Sequence, residues 1–433
     1  MTYKEAIEFL FNSLPMYQRE GKAAYKDNLD NTLVLDDWLG HPHQNYPTIH
    51  VAGTNGKGSV SHMLASVLQA SGYRTGLYTS PHLLDFRERI RINGKPLPED
   101  EVTRFVTGNQ EIIRKVQPSF FEMTVAMAFD YFAREKVDVA VIETGMGGRL
   151  DSTNIITPVL SVITNISLDH TMFLGTDVGS IAREKGGIIK TGVPLVLGRD
   201  DPSYREVLLS MARERNAPAV VAGRLFHPLL STLNREGSMV LRIGRPGDAG
   251  DISITCDLTG DYQRENIITA LSAIEQLQKL KWNISESAIL EGFTRVTGST
   301  GMAGRWQTIG YNPRSICDTA HNADGIAAVF RQVMQIPWKR LHVVWGMVGD
   351  KDIDSILPLL PRDATYYFTS SSVPRSMDAT ELYSRAAVHG LKGTAFPGVE
   401  KAYRTAQVAA GADDMIFTGG STFVVADLLV MKF

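Results

Sequence analysis

Residues 51–60, VAGTNGKGSV, set glycines at 53, 56 and 58 around Lys57 and follow them with Ser59, directly after the short run Thr48-Ile49-His50-Val51. Glycines let backbone N–H groups crowd an anion, a lysine adds a point charge, and a helix starting at Ser59 would turn its N-terminus towards negative charge. That is the chemistry of a phosphate loop. The spacing departs from the usual G-x-x-x-x-G-K-[ST], because Gly53 and Gly56 lie three apart and Gly58 separates Lys57 from Ser59. A Gly-rich turn with a lysine also serves as an ordinary strand-to-helix connection, so the other polar clusters must decide between the two.

In TSPHLLDFRERIRING, residues 79–94, Ser80 ends a strand and Arg87, Glu88, Arg89 and Arg91 crowd the loop after it. Such charge runs are usually solvated surface, unless Ser80 lies beside the phosphate loop, where its hydroxyl would join a Mg²⁺ shell of oxygen ligands. In VDVAVIETGMGGRLDSTN, residues 137–154, Glu143 closes an apolar strand that should be buried on both faces. A carboxylate there is expensive unless paired or bound to a cation. After a phosphate-loop strand it reads as the acid that holds Mg²⁺ on the nucleotide.

NISLDHTMFLG, residues 165–175, places Asp169 and His170 at another strand end. A lone histidine is more often a surface or core residue, but beside a carboxylate and a phosphate loop His170 becomes a reasonable second-metal ligand. Residues 181–190, IAREKGGIIK, read as a helix broken by two glycines, with charges expected in solvent-facing pairs. Turned inward, Lys185 would lose basicity, and its neutral amine would be able to take up CO₂ as a carbamate with oxygen donors. In the last third, GRW at 304–306 and CDTAHNADG at 317–325 bring Arg305, Asp318, His321, Asn322 and Asp324. Asp and Asn are common turn formers. Arg305, at a domain junction, would reach nucleotide phosphates only on domain closure.

The elements that must position these groups are short β-rich runs alternating with helical patterns: Thr48–Ala52, Thr75–Thr79, Val137–Glu143, Val159–Asn165 and Pro194–Gly198. This is an α/β fold with a mainly parallel sheet, whose ligands gather at the C-terminal strand edge. Glycines and alternating runs over about 224–257 predict a small antiparallel excursion. Helical spacing returns over Tyr262–Leu280, and VTGSTGMAG, residues 296–304, reads as a linker. Strands at Ser315–Asp318, Leu341–Trp345, Tyr366–Thr369 and Met415–Thr418 then predict a smaller α/β domain. The expected division is 1–295, linker 296–304, and 305–433.

At 433 residues, two or three domains are expected. A formal net charge of −3 argues against a general nucleic-acid binder. Cys256 and Cys317 are far apart and lack metal-ligand spacing, so a reducing, cytoplasmic setting is expected. MTYKEAIEFLFNSL reads as a structural helix, and no apolar run long enough to span a membrane stands out.

In this order the clusters resemble the folylpolyglutamate synthase and dihydrofolate synthase family of the Mur-ligase group, ATP-dependent enzymes that form amide bonds. GTNGKGS, TSPHL with RERIRING, FFEMT at 120–124, ETGMGGRLDSTN, LDHTMFLG, REKGGIIK, GDYQRENIITA, GRWQ, DTAHNADG and WGMVGDKD carry the likeness over nearly the whole chain. It implies a P-loop Mur-ligase-like central domain and a smaller C-terminal Rossmann-like domain. It implies a phosphate loop of Gly53, Thr54, Asn55, Gly56, Lys57, Gly58 and Ser59. Ser80 and Glu143 resemble ligands of one Mg²⁺, Glu143 and His170 ligands of a second, and Lys185 the carbamylated lysine near it. Asn266, Arg305 and Asp318 resemble nucleotide contacts, with Arg305 also acting in catalysis. His321 and Ser421 resemble residues near the incoming glutamate, His321 also catalytic, and Phe121 and Glu122 in FFEMT fall on the substrate side.

Ser167 stands where the family usually has glycine, and Thr319 and Ala323 stand in a motif commonly reading GAHNPDG. These changes leave every polar group in place but alter backbone freedom. The implied reaction joins L-glutamate to dihydropteroate or folate with ATP and Mg²⁺, in a cytoplasmic monomer that combines both steps. A Mur-type ligase of a cell-wall precursor and a P-loop nucleotide switch are the competing readings; FFEMT and RERIRING count against the first, Arg305 and His321 against the second.

Overall fold

The computed structural model describes residues 1–16, 28–247, 250–349 and 351–431. Residues 248–249 of the expected excursion, Asp350 of WGMVGDKD and the last two residues of the chain therefore lie outside the described residues. The chain forms two compact units, one of Met1–Leu258 with Gln263–Met302 and one of Thr259–Tyr262 with Ala303–Phe433.

The strands of the first unit are β1 (Thr48–Ala52), β2 (Thr75–Tyr78), β3 (Ile90–Ile92), β4 (Lys95–Pro96), β5 (Val139–Glu143), β6 (Leu160–Ile163), β7 (Leu195–Leu197), β8 (Ala219–Val221), β9 (His227–Leu233), β10 (Met239–Gly244) and β11 (Ile252–Cys256). The main sheet runs β4-β3-β2-β5-β1-β6-β7-β8. It is parallel from β2 to β8. Its central strands are buried on both faces and mostly apolar, as strands covered by helices on either side must be. Alternation along β5 sends Val139 and Val141 into one core, with Met63 and Leu64 of the helix Lys57–Ala70, and Ala140 and Ile142 into another, with Met123 and Met127 of the helix Phe120–Arg134. Strand β1 lies between β5 and β6, where the strand order switches direction, the place at which open parallel sheets gather ligands beyond their C-terminal strand ends. The excursion is the antiparallel sheet β11-β10-β9.

Two differences from the sequence reading have clear causes. RERIRING is not a charged surface loop: it holds the antiparallel strand β3 and leads directly into β4, and Arg89 and Arg91 are 4% and 6% exposed. The alternation of arginine with isoleucine was read as charge when it was also strand period. The stretch 296–304 is not all linker, because Val296–Thr300 is a helix with both ends buried. Its small residues allow close packing: Ser299 shares a 2.7 Å hydrogen bond with Ser66, and Thr300 one of 2.7 Å with His62.

The second unit holds β12 (Gln307–Tyr311), β13 (Arg314–Cys317), β14 (Leu341–Trp345), β15 (Thr365–Thr369), β16 (Lys392–Phe396) and β17 (Met415–Gly419), in the order β12-β13-β17-β14-β15-β16. All pairs are parallel except β12 with β13. Its core packs Phe330, Trp345 and Phe417. Strands β12 and β16 escaped the sequence reading because they are edges, half exposed and low in apolar residues. No helix among the described residues is long and apolar enough to cross a membrane.

Candidate nucleotide and metal site

The turn after β1 is built as a cradle. Gly53 and Gly56 take φ of +149° and +85°, and Gly56 caps a helix that starts at Lys57, two residues before the expected Ser59. A Cβ on Gly53 would lie 1.9 Å from Thr164 Oγ1, and one on Gly56 2.3 Å from Asn266 Oδ1, so neither position accepts a side chain. The residues leaving β6 hold the loop in shape. Thr54 N donates to Asn165 O (2.8 Å), Asn55 N to Asn165 Oδ1 (2.9 Å) and Thr164 Oγ1 to Asn55 O (2.6 Å). Ser167, at the family's glycine position, donates its N–H to Thr54 Oγ1 at 3.0 Å. Thr164 and Asn165 were not singled out from sequence; the polar TN directly after an apolar strand was the available signal.

Two lysines converge on one carbonyl. Lys57 Nζ donates to Gly53 O at 3.0 Å and to Thr54 O at 3.2 Å, and Lys185 Nζ donates to the same Gly53 O at 2.9 Å. Lys185 belongs to the helix Val178–Gly186, where Arg149 covers the outer side by pairing with Glu184 (2.9 Å) while Lys185 turns inward and is buried. Burial first, and the charge of Lys57 second, pull its amine down to about 7.

Glu143 ends β5 in register with Val51 of β1, and Thr144 N donates to Val51 O at 2.9 Å, so the buried carboxylate sits beside the start of the cradle. Tyr78 pairs with Ile142, which brings Ser80 out of the sheet on the same edge. His170 takes a left-handed φ of +49°, its N–H donates to Asp169 Oδ1 (2.8 Å), and its ring Nε2 lies 3.9 Å from Asp169 Oδ2. Among the described residues no three or more His, Cys, Asp or Glu side chains cluster to hold a metal by themselves. One buried carboxylate with a hydroxyl beside a phosphate cradle is a hard-oxygen set that fits Mg²⁺, which keeps waters and takes substrate phosphates as ligands.

Asp151 and His50 were missed. Asp151 is buried and accepts hydrogen bonds from Met146 N (2.8 Å), Thr153 N (3.0 Å) and Thr153 Oγ1 (2.5 Å), and the same Thr153 hydroxyl meets His50 Nε2 at 2.9 Å. Together they fix the turn after Glu143. Phe121 packs its ring on Gly145 of that turn. Its neighbour Glu122 closes the N-terminus of the helix Phe120–Arg134 instead, accepting from Ser119 N (2.5 Å) and from Asn31 (3.3 Å). Asn266 approaches Gly56 and donates to Gln263 Oε1 at 2.8 Å.

In the second unit Asp318 directly follows β13, with Oδ2 accepting from Trp306 N (2.7 Å) and the Tyr262 hydroxyl (2.5 Å), and Oδ1 from Ala320 N (2.8 Å). Burial raises its pKa against the pull of Arg305 and these donors. Its carboxylate thus shapes the strand end that carries Arg305 and His321; Tyr262, its partner, was also missed. His321 Nδ1 lies 3.0 Å from Thr319 O. Ser421 caps the helix Thr422–Val430, its Oγ accepting from Phe423 N at 3.1 Å.

A P-loop sheet in one unit and a second, mostly parallel sheet in the other make a ligase of the Mur type: the Mur ligase middle domain matches residues 51–274, and the Mur ligase glutamate ligase domain matches 304–422. Within that class the chain belongs to the folylpolyglutamate synthase and dihydrofolate synthase family. It is 32% identical to the dihydrofolate synthase/folylpolyglutamate synthase of Bacillus subtilis over 94% of this chain and 95% of that one. It is 34% identical to the folylpolyglutamate synthase of Lacticaseibacillus casei over 81% of each. A probable bifunctional folylpolyglutamate synthase/dihydropteroate synthase of Haloferax volcanii is 32% identical over 99% of this chain, which spans 50% of that longer protein. Among solved structures, Escherichia coli FolC in complex with DHPP and ADP superposes with a TM-score of 0.86 at 28% identity, covering 100% of this chain and 97% of that one. A Mycobacterium tuberculosis folylpolyglutamate synthase complexed with ADP and AMPPCP superposes with a TM-score of 0.87 at 31% identity, over 99% and 98%.

Proposed function

We propose that this chain is an ATP-dependent ligase that joins the amine of L-glutamate to the carboxylate of dihydropteroate and of reduced folate, giving ADP and phosphate. The observation that carries the reading is the convergence of Lys57 and Lys185 on the Gly53 carbonyl beside the buried Glu143. A carboxylate resists attack by an amine. Transfer of the γ-phosphoryl group to a carboxylate oxygen, with its bond to ADP breaking, gives an acyl phosphate. The glutamate amine then attacks the acyl carbon, loses a proton, and phosphate departs as the amide forms.

In this reading residues 53–59 cradle the phosphates through backbone N–H groups, and Lys57 leaves its carbonyls to meet the charge that grows during phosphoryl transfer. Asn266 flanks the adenine side. Magnesium, when bound, offsets charge on the transferring group. Ser80 and Glu143 are the proposed ligands of one ion, and Glu143, His170 and a carbamate on Lys185 those of a second. An amine near pH 7 is half neutral there, and attack of its lone pair on CO₂ forms the carbamate with release of one proton. Phe121, His321 and Ser421 are proposed on the pterin and glutamate sides; Arg305 would act on the phosphates, and Glu122 and Asp318 would position their neighbours. The enzyme is proposed to work as a cytoplasmic monomer on small molecules, without nucleic acid or membrane. ADP release with Mg²⁺-ATP and L-glutamate, in separate reactions with dihydropteroate, a reduced folate or no pterin, tests this. Turnover with both pterins is expected; pterin-independent or absent turnover overturns it.

A further inference from the structure

Arg89 is a buried cation whose immediate partners are all neutral. Its Nε donates to His82 Nδ1 at 2.8 Å, its guanidinium stands 5.2 Å from the centroid of the Phe120 ring, and it shares a hydrogen bond with the Tyr78 hydroxyl. Arginine only donates, so His82 must accept through Nδ1 and is neutral. Burial, then the charge of Arg89, hold that ring at about 3. A cation taken out of water among neutral groups needs an acid within reach. Glu88 is engaged in closing its own turn, accepting from Leu83 N (2.9 Å), Leu84 N (3.1 Å) and Asp85 N (3.0 Å). Glu143 acts on Arg89 more strongly than Glu88 does. The register explains why. Arg89 O accepts from Thr79 N at 3.0 Å, Tyr78 pairs with Ile142, and so the chain carrying Arg89 leaves the sheet next to Glu143.

We propose that Arg89 is a positioning residue of the metal cradle, a resident positive charge that offsets Glu143 until the nucleotide brings its phosphates, so that the divalent cation enters with the nucleotide and not alone. The inference rests on the reading of Glu143 as a metal ligand. Before nucleotide arrives, a divalent ion approaching Glu143 meets the charges of Arg89 and Lys57 as well as the more distant acids Asp151 and Asp169; the triphosphate shifts that balance towards the cation. Tyr78, His82 and Phe120 keep the guanidinium out of water, within the field of the Glu143 carboxylate.

The test uses Mn²⁺ as the probe, followed by its electron-spin-resonance signal and by calorimetry on the full chain, with and without a non-hydrolysable ATP analogue. The parent is expected to bind Mn²⁺ at least about ten-fold more weakly without the nucleotide; equal binding overturns the proposal. Arg89→Gln is expected to gain about ten-fold or more in affinity for free Mn²⁺, and Arg89→Lys, which keeps the charge, to stay near the parent. A purely structural role predicts the opposite pattern: no gain in Arg89→Gln and the same loss of thermal stability in both. If Arg89→Gln does not fold, Arg89→Lys decides: tight free-Mn²⁺ binding there also overturns the proposal. Glu143→Gln tests the underlying reading separately, since it is expected to lose Mn²⁺ binding with and without nucleotide. Persistence of that binding removes Glu143 from the metal site whatever Arg89 does.

Discussion

Glu143 and Asp318 are both buried acids at the C-terminal end of a sheet strand, and the fold treats them differently. Asp318 receives three hydrogen bonds from its own unit, from Trp306 N, Ala320 N and the Tyr262 hydroxyl. Glu143 stands on an edge populated by cations: Arg89 is subject to its field, and Lys57 and Lys185 meet at the carbonyl two residues past its register partner. A buried acid saturated by local donors serves the fold. One placed among cations with neutral neighbours has a charge that binding chemistry can use.

Breaking the pair at Glu143 should have the largest effect. Glu143→Ala is expected to lower Mg²⁺-ATP turnover by about a thousand-fold or more while leaving the fold intact, if the proposed role of Glu143 as a metal ligand holds. Steady-state ADP release with circular dichroism checks this, and near-normal turnover would remove Glu143 from the site. Next in size is Lys185→Met, expected to lower turnover by about a hundred-fold. It should also change how stability depends on pH. The amine titrates near 7 in the folded chain and at its usual 10.5 when unfolded, so between those values the unfolded chain binds more protons and stability rises with pH. Melting temperatures of parent and variant, measured in CO₂-free buffer from pH 7 to 10, should differ in slope, the variant being flatter. Parallel slopes would show that Lys185 is not the titrating group.

The same contrast explains what could be read from the sequence. Central strands were legible because burial on both faces forces apolar runs, as in VAVIE of β5 and LHVVW of β14. Glu143 was legible as the charge that breaks such a run. Lys185 was legible only through the family resemblance, since EKGG looks the same facing water or facing a cradle; the packing of its helix decides. The buried face of RERIRING was hidden because charge alternating with isoleucine masks a strand. Tyr262 and Asp151 were hidden for another reason: their partners, Asp318 and Met146 with Thr153, come together through turns that no periodicity encodes.

The smaller effects belong to the second unit and test the other half of the comparison. Asp318→Ala leaves three donors without their acceptor in a buried place, so a loss of about 2–4 kcal/mol in stability is expected, larger than its effect on turnover per folded molecule. Tyr262→Phe removes one of those donors and keeps the ring. Its hydroxyl is held protonated by burial and by the charge of Asp318, so it acts purely as a donor to that carboxylate. Trp306 N and Ala320 N still hold the acid, and the expected loss is only about 1 kcal/mol in chemical denaturation. If Tyr262→Phe instead cost as much as Asp318→Ala, the two backbone donors would be contributing little, and the hydroxyl would be the main support of the carboxylate beside the charge of Arg305. A double variant separates the cases: an effect no larger than that of Asp318→Ala alone means that the hydroxyl works only through the carboxylate.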